Sequence, residues 1–462
     1  MFKKVRYASG LLDTYGGLNF ISQAFEKTVL DSKRFRGSKF PPQIEISAPK
    51  IVGPVGWSRP MTIFYLTHCF FPESQGGTER FVYNLAQQQI ANSCRVIVFT
   101  YSAQGKKNYS QGIGNILYER YFFDGIEVIK FRHRRAPKGI LKDLLANDQD
   151  VIAFAKYFLE NERVDIVHCA HLGRAAAFLT ACREVNIPYI VTVTDFYALC
   201  HYYTMIDKAG MSCNGCQRGL KCKETCSTKM VEDFQKRYRI AGELLADAAG
   251  VIAPSAYVAA VIEKEFPGVI VYTVPHGVRD QLLIPRKRSK VKRFVYMGKL
   301  SALKGVHLLI KAFKRIEGKD INLDVYGEGS IIYWMVLRKA IGKDKRIALR
   351  GRVAFDQISS VYAQSDCVVI PSLWAETYNF VLSEAQAAGV MTIASKIGAL
   401  QERIQEGTNG YLFICGDKAS LIQAMKRAIE EPCFDFSNEN SGLEQEAAIY
   451  AGLYEKAARV MK

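Results

Sequence analysis

The stretch Asp366–Glu384, DCVVIPSLWAETYNFVLSE, decides the fold because it combines a strand, a bend, an acidic loop and the start of a helix. Its first part, Asp366–Ser372, is a short β-branched run closed by proline and serine, which is typical of a strand covered on both faces. Apolar residues then recur at helical spacing at Val381, Leu382 and Ala385. The stretch therefore predicts one strand–loop–helix unit of an α/β sheet.

Two glutamates, Glu376 and Glu384, stand eight residues apart in this stretch. The spacing places Glu384 in the first or second helical turn and Glu376 just outside the helix. The free N–H groups of Asn379, Phe380 and Val381 would then face the same crevice as the two carboxylates. Helix N–H groups bind anions such as pyrophosphate, whereas carboxylates accept hydrogen bonds from sugar hydroxyls. The pattern predicts a site for a sugar attached to a phosphate.

Strand-like and helix-like segments alternate on both sides of this unit, which predicts parallel sheets with helices on both faces. The predicted strands are Met61–Thr67, Cys94–Tyr101, Ile126–Phe131, Val164–His168, Tyr189–Val193 and Val251–Pro254 and, after a charged linker, Arg293–Gly298, Asn322–Gly329, Ile347–Gly351, Cys367–Pro371 and Met391–Ser395. The restart after the linker predicts two doubly wound, Rossmann-like domains that face each other across a cleft.

The predicted domain organisation has four parts. Residues 1–60 form an appended segment, 61–285 an N-terminal acceptor domain, 286–440 a C-terminal nucleotide-sugar domain, and 441–462 a helix that docks back on the N-terminal domain. In the N-terminal domain, Gly76 and Gly77 follow the first strand and precede a helix, with Thr78 as the predicted N-cap. Glycines at such a turn let the backbone approach a ligand closely.

Composition indicates a globular protein, with 49% hydrophobic and 23% charged residues in a chain of 462. No apolar window reaches the roughly 18 to 20 residues that a membrane-spanning helix needs. The N-terminus lacks the apolar core and cleavage site of a signal peptide. We therefore expect a cytoplasmic protein.

The formal charge of +17 is concentrated in residues 1–60, 130–142 and 286–293. Taken singly, such patches are usually solvated surface. Together they favour contact with an anionic membrane surface, where each lysine or arginine adds about 1 kcal/mol. Nucleic acid is the competing partner, but the patches contain few interleaved aromatic residues, so no nucleic-acid binding is expected. The localisation that follows is peripheral, on the cytoplasmic face of a membrane.

Five cysteines crowd into the loop 200–226, which lacks an apolar pattern of its own. They are Cys200, Cys213, Cys216, Cys222 and Cys226. Cys213 and Cys216 have the C-x₂-C spacing of metal ligands, and a loop without a core gains most from a cross-link or a metal. A structural Zn²⁺ held by four of these thiols is the leading interpretation; an iron–sulfur cluster or disulfides are the alternatives.

Motifs in a fixed order extend from Met61 to Lys462. They are Gly76-Gly-Thr-Glu-Arg, Gly298-Lys-Leu-Ser-Ala-Leu-Lys304-Gly, Gly327-Glu-Gly, Gly351-Arg-Val, the pair Glu376 and Glu384, and Gly407-Thr-Asn-Gly-Tyr-Leu. In this order and spacing the chain resembles the retaining glycosyltransferases of family 4. The resemblance implies the GT-B fold and a hexosyltransferase of polysaccharide or glycan biosynthesis. It would use a nucleotide-diphosphate sugar as donor and a lipid-linked or glycan acceptor.

The resemblance also implies roles for individual residues. Lys299 and Lys304 would stabilise the departing diphosphate, Glu376 would hold sugar hydroxyls, and Glu384 would hold the ribose. The remaining donor-binding residues would be Gly76, Gly77, Gly298, Gly327, Arg352, Val353, Asn379, Phe380 and Val381. Protein cations stabilise the leaving group in this family, so no Mg²⁺ is expected for catalysis.

The acceptor side departs from the family pattern. Thr194 stands where a histidine often precedes the aspartate that corresponds to Asp195, Lys299 replaces an arginine, and His276 replaces an asparagine. His171, Thr194 and Asp195 are the expected acceptor or sugar contacts, and His168 is a further candidate. These departures leave open a catalytically silent protein that binds nucleotide-sugar. A nucleotide-sugar epimerase is less well supported, since the sequence offers no acid/base set around the sugar.

Overall fold

The computed structural model describes residues 59–102, 109–135, 147–200, 202–226, 231–278, 290–354, 357–431 and 442–460. Nearly all of the expected appended segment, most of the linker and part of the basic patch at 130–142 lie outside these residues. No helix within the described part of the chain is both long and apolar enough to cross a membrane.

The first sheet has nine strands in the order β3-β4-β5-β2-β1-β6-β7-β8-β9. Its strands are β1 (Thr62–Thr67), β2 (Arg95–Tyr101), β3 (Gln111–Ile113), β4 (Ile116–Phe123), β5 (Ile126–His133), β6 (Ile166–Cys169), β7 (Tyr189–Thr192), β8 (Gly250–Ala253) and β9 (Val271–Thr273). All neighbouring strands are parallel except in the β3-β4-β5 meander.

The second sheet is wholly parallel, with six strands in the order β12-β11-β10-β13-β14-β15. Its strands are β10 (Arg293–Met297), β11 (Asn322–Tyr326), β12 (Ile347–Gly351), β13 (Cys367–Ile370), β14 (Met391–Ser395) and β15 (Gly410–Phe413). The chain order reverses between β10 and β13. The carboxyl ends of strands beside such a reversal form the crevice where ligands bind in open α/β sheets.

Helices cover both faces of each sheet. In the first domain they are α1 (Gly77–Ala91), α2 (Gln149–Asn161), α3 (Ala176–Glu184), α4 (Leu220–Thr225), α5 (Val231–Ala246) and α6 (Ala256–Glu265). The second domain contains α7 (Val306–Phe313), α8 (Ile331–Ile341), α9 (Ile358–Gln364), α10 (Phe380–Ala387), α11 (Gly398–Arg403) and α12 (Lys418–Glu430), and α13 (Leu443–Val460) follows. The predicted pair of doubly wound α/β domains is confirmed.

Alternate residues of β1 show how the first domain is filled. Phe64 packs in the core on the α2 and α3 side, together with Phe99 and Phe158, whereas Tyr65 packs on the α1 and α13 side. Successive strand residues point to opposite faces, so a strand covered by helices on both faces is apolar throughout. This explains why the predicted strands were short continuous apolar runs.

Helix α13 packs against α1 of the first domain through a buried polar network. The Tyr454 hydroxyl lies 2.8 Å from the Tyr65 hydroxyl and 2.7 Å from His168 Nδ1, and it accepts from Gln89 Nε2 at 3.2 Å. All four side chains are buried. Buried polar groups are costly unless they are paired, so this set defines one docking position for α13.

Candidate functional site

The loop between β13 and α10 is shaped by Asn379. This residue has φ of +76°, and its side-chain oxygen accepts a hydrogen bond from Leu382 N at 3.0 Å, which caps the helix. Arg403 Nη1 donates to the Tyr378 carbonyl at 2.6 Å and holds the loop from the other side. Asparagine tolerates positive φ better than most residues. The N-terminus of α10 therefore lies at the edge of the second sheet that is formed by the carboxyl ends of its strands.

Glu376 is buried, with 4% of its surface exposed, and one of its carboxylate oxygens collects three donors. Oε1 accepts from Lys304 Nζ at 2.7 Å, from Ser372 Oγ at 2.5 Å and from Trp374 Nε1 at 3.0 Å. The Lys304 ammonium also lies 5.2 Å from the centroid of the Trp374 ring. A carboxylate held by three donors is fixed in position, and the charge-assisted hydrogen bond fixes the lysine beside it as well.

Lys304 ends a short 3₁₀ turn, Ala302–Lys304, and reaches Glu376 because the chain passes very close to β13. Gly305 has φ of +69°, and a Cβ at this position would lie 1.8 Å from the Pro371 carbonyl oxygen. A similar close approach occurs at Gly327, where a Cβ would lie 1.8 Å from the Gly298 carbonyl oxygen. Only glycine permits these contacts.

Glu384 lies in the second turn of α10 and is 3% exposed. Its Oε2 accepts from the Tyr362 hydroxyl at 2.8 Å, and its Oε1 forms an ion pair with Arg80 of α1. The Arg80 guanidinium also lies 5.3 Å from the centroid of the Phe380 ring. The two glutamates of the opening stretch therefore have different partners. Glu376 is paired within its own domain and Glu384 across the cleft.

The other candidate donor-side residues lie on loops of the same edge. Lys299 is exposed, and its carbonyl accepts from the Tyr296 hydroxyl at 2.8 Å. Arg352 is exposed and donates to Gln75 of the first domain, while Val353 is half-buried. The residues from which the sequence predicted a donor site thus surround β10, β12 and β13 at their carboxyl ends.

The glycine loop of the first domain differs from the prediction in one respect. Gly76, not Thr78, is the N-cap of α1, and it carries no side-chain cap. Thr78 Oγ1 donates instead to Thr194 Oγ1 at 2.9 Å. The Gly77 position faces the second domain, since a Cβ there would lie 3.8 Å from the Phe380 ring. The Thr78 hydroxyl, which was expected to cap α1, instead links the first turn of α1 to the loop that follows β7.

Direct hydrogen bonds join the two domains at the base of the cleft. Thr377 Oγ1 donates to the Thr194 carbonyl at 2.8 Å, and Ser255 Oγ donates to the Thr377 carbonyl at 2.8 Å. The Tyr378 hydroxyl donates to the His276 carbonyl at 2.5 Å. The loop between the glutamates therefore touches the first domain through consecutive residues, which places Glu376 at the domain boundary.

The acceptor-side candidates form a hydrogen-bonded chain of their own. His171 Nδ1 accepts from Gly173 N at 2.9 Å, so its other nitrogen carries the proton and donates to Asp195 Oδ2 at 3.0 Å. Burial disfavours the Asp195 carboxylate, but its interaction with His171 and the hydrogen bond from Tyr197 N outweigh burial and hold the pKa of Asp195 below its usual range. Both His171 nitrogens are occupied, so this histidine orients Asp195. Thr194 Oγ1 donates to the Ala170 carbonyl at 2.8 Å.

His168 offers no nitrogen to a substrate. Nδ1 lies 2.7 Å from the Tyr454 hydroxyl and Nε2 lies 2.7 Å from Thr192 Oγ1, both in the buried network under α13. Burial lowers the pKa of His168 to about 3, and the nearby His276 acts in the same direction. His168 is therefore a structural residue.

Sequence reasoning missed four residues of the cleft: Ser372, Trp374, Arg80 and His68. The first two lie in the stretch Asp366–Glu384, and Arg80 is the last residue of the Gly-Gly-Thr-Glu-Arg motif, so the motifs themselves contain all three. His68 follows β1, and its ring centroid lies 4.1 Å from that of His171. Burial and the neighbouring His171 lower the pKa of His68 well below its usual value, although Asp195 opposes this.

The five clustered cysteines share one small subdomain. Cys200, Cys216, Cys222 and Cys226 are buried, Cys213 is half-buried, and all carry free thiols. The Cys222 thiol hydrogen-bonds to Cys226 and lowers the pKa of the latter, although burial opposes the shift. Cys216 Sγ donates to Glu265 Oε2 at 3.2 Å.

Side-chain groups with metal-ligand spacing occur elsewhere. Within the described ranges, the groups whose ligand atoms all lie within 4.8 Å of one another are His68, Cys69 and Glu79, and His133, Asp148 and Asp150. The clustered cysteines are not among these sets. The zinc site therefore stays a prediction.

Comparison with known proteins identifies the family. Residues 75–282 match the family described as Glycosyltransferase Family 4, and residues 291–431 match the family described as Glycosyl transferases group 1. The chain belongs to the GT-B glycosyltransferases. These two matches coincide with the two α/β domains and meet at the linker.

Two relatives are glycosyltransferases by name, and one solved structure has the same fold. A lipopolysaccharide 1,2-N-acetylglucosaminetransferase of Salmonella typhimurium is 32% identical over 41% of this chain and 55% of its own, so the chain spans about half the length of that relative. A GDP-mannose-dependent alpha-mannosyltransferase of Corynebacterium glutamicum is 27% identical over 79% of this chain and 80% of its own. The structure of Anabaena HepE in complex with UDP and glucose superimposes with a TM-score of 0.56 at 18% identity, covering 87% and 98% of the two chains.

Proposed function

We propose that this glycosyltransferase family member transfers a hexose from a nucleotide-diphosphate sugar to a lipid-linked or glycan acceptor, with retention of anomeric configuration. The observation that carries the proposal is the arrangement of Lys304, Glu376 and the N-terminus of α10 at one edge of the second sheet. It supplies a cation, an anchored carboxylate and free helix N–H groups at the boundary between two domains. A sugar joined to a diphosphate presents matching groups.

The departing diphosphate explains why the site needs a cation such as Lys304. Glycosyl transfer breaks the bond between the anomeric carbon and a diphosphate oxygen, so negative charge grows on the diphosphate. Fixed donors and cations stabilise such charge most strongly where water is excluded. Lys304, Lys299 and the N–H groups of Phe380 and Val381 would receive it. Protein groups supply this stabilisation, so we expect turnover without Mg²⁺.

The Glu376 and Glu384 carboxylates would bind the neutral hydroxyl groups of the donor. The Glu376 oxygen that holds Lys304 would accept sugar hydroxyls, and Lys304 would turn toward the diphosphate. Glu384 would accept the ribose hydroxyls. Retention follows if the acceptor attacks from the face that the diphosphate leaves, with a diphosphate oxygen taking its proton. Neither Asp195 nor His171 is then needed as a base, which agrees with their mutual hydrogen bond.

The acceptor would enter between the first domain and the donor. The basic surface supports an acceptor that is carried on an anionic membrane, with the enzyme associating peripherally on the cytoplasmic side. The name of the Salmonella relative includes lipopolysaccharide and that of the Corynebacterium relative specifies GDP-mannose, so a lipid-linked glycan should be among the acceptors tested and GDP-mannose among the donors.

The test is release of nucleoside diphosphate from a panel of UDP-, GDP- and ADP-sugars, with and without a chelator. One donor should be hydrolysed slowly without acceptor, and Glu376→Gln should abolish release in protein that circular dichroism shows to be folded. Nuclear magnetic resonance of the product would report the anomeric configuration. Nucleotide-sugar binding without release for every donor and acceptor would instead support the silent binding protein.

A further inference from the structure

Helix α8 exposes an unusual set of large apolar side chains. Ile331 is 69% exposed, Ile332 50%, Trp334 39% and Met335 62%. All four belong to the first five residues of the helix. Single exposed apolar residues are normal in soluble proteins, whereas a contiguous group indicates an interaction surface.

The core does not require these residues. Tyr333, Leu337 and Ile341 of the same helix are buried, and their spacing of four residues forms the stripe that joins the hydrophobic core of the second domain. The Tyr333 hydroxyl is fixed by His307 Nδ1 at 3.0 Å. The rotation of the helix is therefore set by the buried stripe, and the four apolar residues are held on the outside.

The exposed face continues as a basic surface. Arg338 and Lys339 are exposed in the next turn, Lys343 follows the helix, and residues 330–343 contain no acidic side chain. The Arg338 guanidinium lies 5.0 Å from the centroid of the Trp334 ring, so the apolar and basic parts are contiguous. We call Ile331, Ile332, Trp334, Met335, Arg338 and Lys339 the α8 surface.

The α8 surface lies beside the proposed donor site. Helix α8 starts directly after the Gly327–Gly329 turn at the carboxyl end of β11. That end belongs to the edge of the second sheet that carries Glu376 and Lys304. A partner that binds the α8 surface would therefore lie close to the opening of the cleft.

We propose that the α8 surface docks this protein on an anionic lipid bilayer. Tryptophan, isoleucine and methionine would enter the boundary between headgroups and acyl chains, and arginine and lysine would contact the headgroups. The complementary charge singles out an anionic bilayer, because a neutral apolar partner would leave Arg338 and Lys339 without a counterpart. The net charge of +17 acts in the same direction. This proposal assigns to the α8 surface the membrane contact that is part of the proposed function. It rests on that function only for the lipid-linked acceptor.

The test is co-sedimentation of the full chain with vesicles of phosphatidylglycerol and phosphatidylcholine, compared with phosphatidylcholine alone. Ile331→Ser with Met335→Ser should lower partitioning onto the anionic vesicles by about tenfold, since two exposed apolar side chains are lost. Arg338→Glu with Lys339→Glu should lower it similarly at low salt and less at high salt. Ile270→Ser removes a side chain that is 57% exposed in the first domain and should leave partitioning unchanged.

Nucleoside diphosphate release from a soluble mixture separates this inference from the proposed function. The α8 variants should release nucleoside diphosphate at the wild-type rate. Loss of vesicle binding with normal release, or loss of release with normal vesicle binding, would therefore distinguish the membrane inference from the proposed function. Equal partitioning of both α8 double variants and the wild type would overturn the inference. So would a wild-type dimer that the serine variant converts to monomer without any change in vesicle binding, because the surface would then join two copies of the chain.

Discussion

Because Glu384 is proposed to hold the ribose, we predict that Arg80 of the first domain competes with the nucleotide for the Glu384 carboxylate. Arg80 occupies an oxygen of the carboxylate that is proposed to hold the ribose. The side chains are 19% and 4% exposed, so the pair is largely desolvated. A hydrogen bond between charged groups contributes about 1.5 to 3 kcal/mol, and the ribose hydroxyls must replace it. Arg80→Ala should therefore tighten nucleoside diphosphate binding by about tenfold or more, since about 1.4 kcal/mol corresponds to a factor of ten.

Isothermal titration calorimetry of the nucleoside diphosphate that binds the wild type provides the measurement. In a Glu384→Gln background the Arg80→Ala change should have little further effect, because the two groups act as one pair. Arg427→Ala, which breaks an exposed ion pair with Glu406, is the matched control and should leave affinity unchanged. Weaker binding by tenfold in Arg80→Ala would refute the reasoning and assign Arg80 to the diphosphate itself.

Three further predictions concern stability and metal content. Gly305→Ala should lower the melting temperature far more than Gly268→Ala, because both have positive φ but only the first would place a Cβ 1.8 Å from the Pro371 carbonyl; equal losses would contradict this. His168 and His307, whose pKa values burial lowers to about 3 and about 4, stay neutral in the folded state while the unfolded chain takes up protons below pH 6.5. Unfolding free energy should therefore fall by about 2 kcal/mol for each of these two histidines between pH 7 and pH 5, and His307→Gln should reduce the measured fall by about 2 kcal/mol in denaturant titrations. Elemental analysis of protein purified without chelators should find one zinc per chain, and finding neither zinc nor iron would exclude a metal in the cysteine cluster.

Much of the fold follows from local patterns. The strands around Glu376 were continuous apolar runs because helices cover both sheet faces, and this pattern is visible without tertiary information. The β3-β4 hairpin was missed, although Gly114 and Asn115 between Ile113 and Ile116 form the two-residue turn that signals such a connection. Strand β4 is partly exposed and carries the charged residues Glu119 and Arg120 at its centre, so it lacks the continuous apolar run on which the other predictions depended.

The site was predictable only in part, for a physical reason. Spacing within one segment places Glu384 in a helix and Glu376 outside it, because both positions depend on local backbone geometry. Spacing cannot show that Arg80 crosses the cleft, or that His168 bonds to Tyr454, since these contacts join residues hundreds of positions apart. The misassigned cap at Thr78 has the same origin, because its hydroxyl is recruited by a distant loop.

The central claim is that Lys304 stabilises a departing diphosphate, and turnover of matched lysine variants tests it most directly. Lys304→Gln removes the cation that lies 2.7 Å from Glu376, whereas Lys311→Gln removes an exposed lysine on the adjacent α7. With a saturating nucleotide-sugar, kcat for nucleoside diphosphate release should fall by about 100-fold or more in the first variant and stay unchanged in the second. Equal turnover by Lys304→Gln and the wild type would contradict the account.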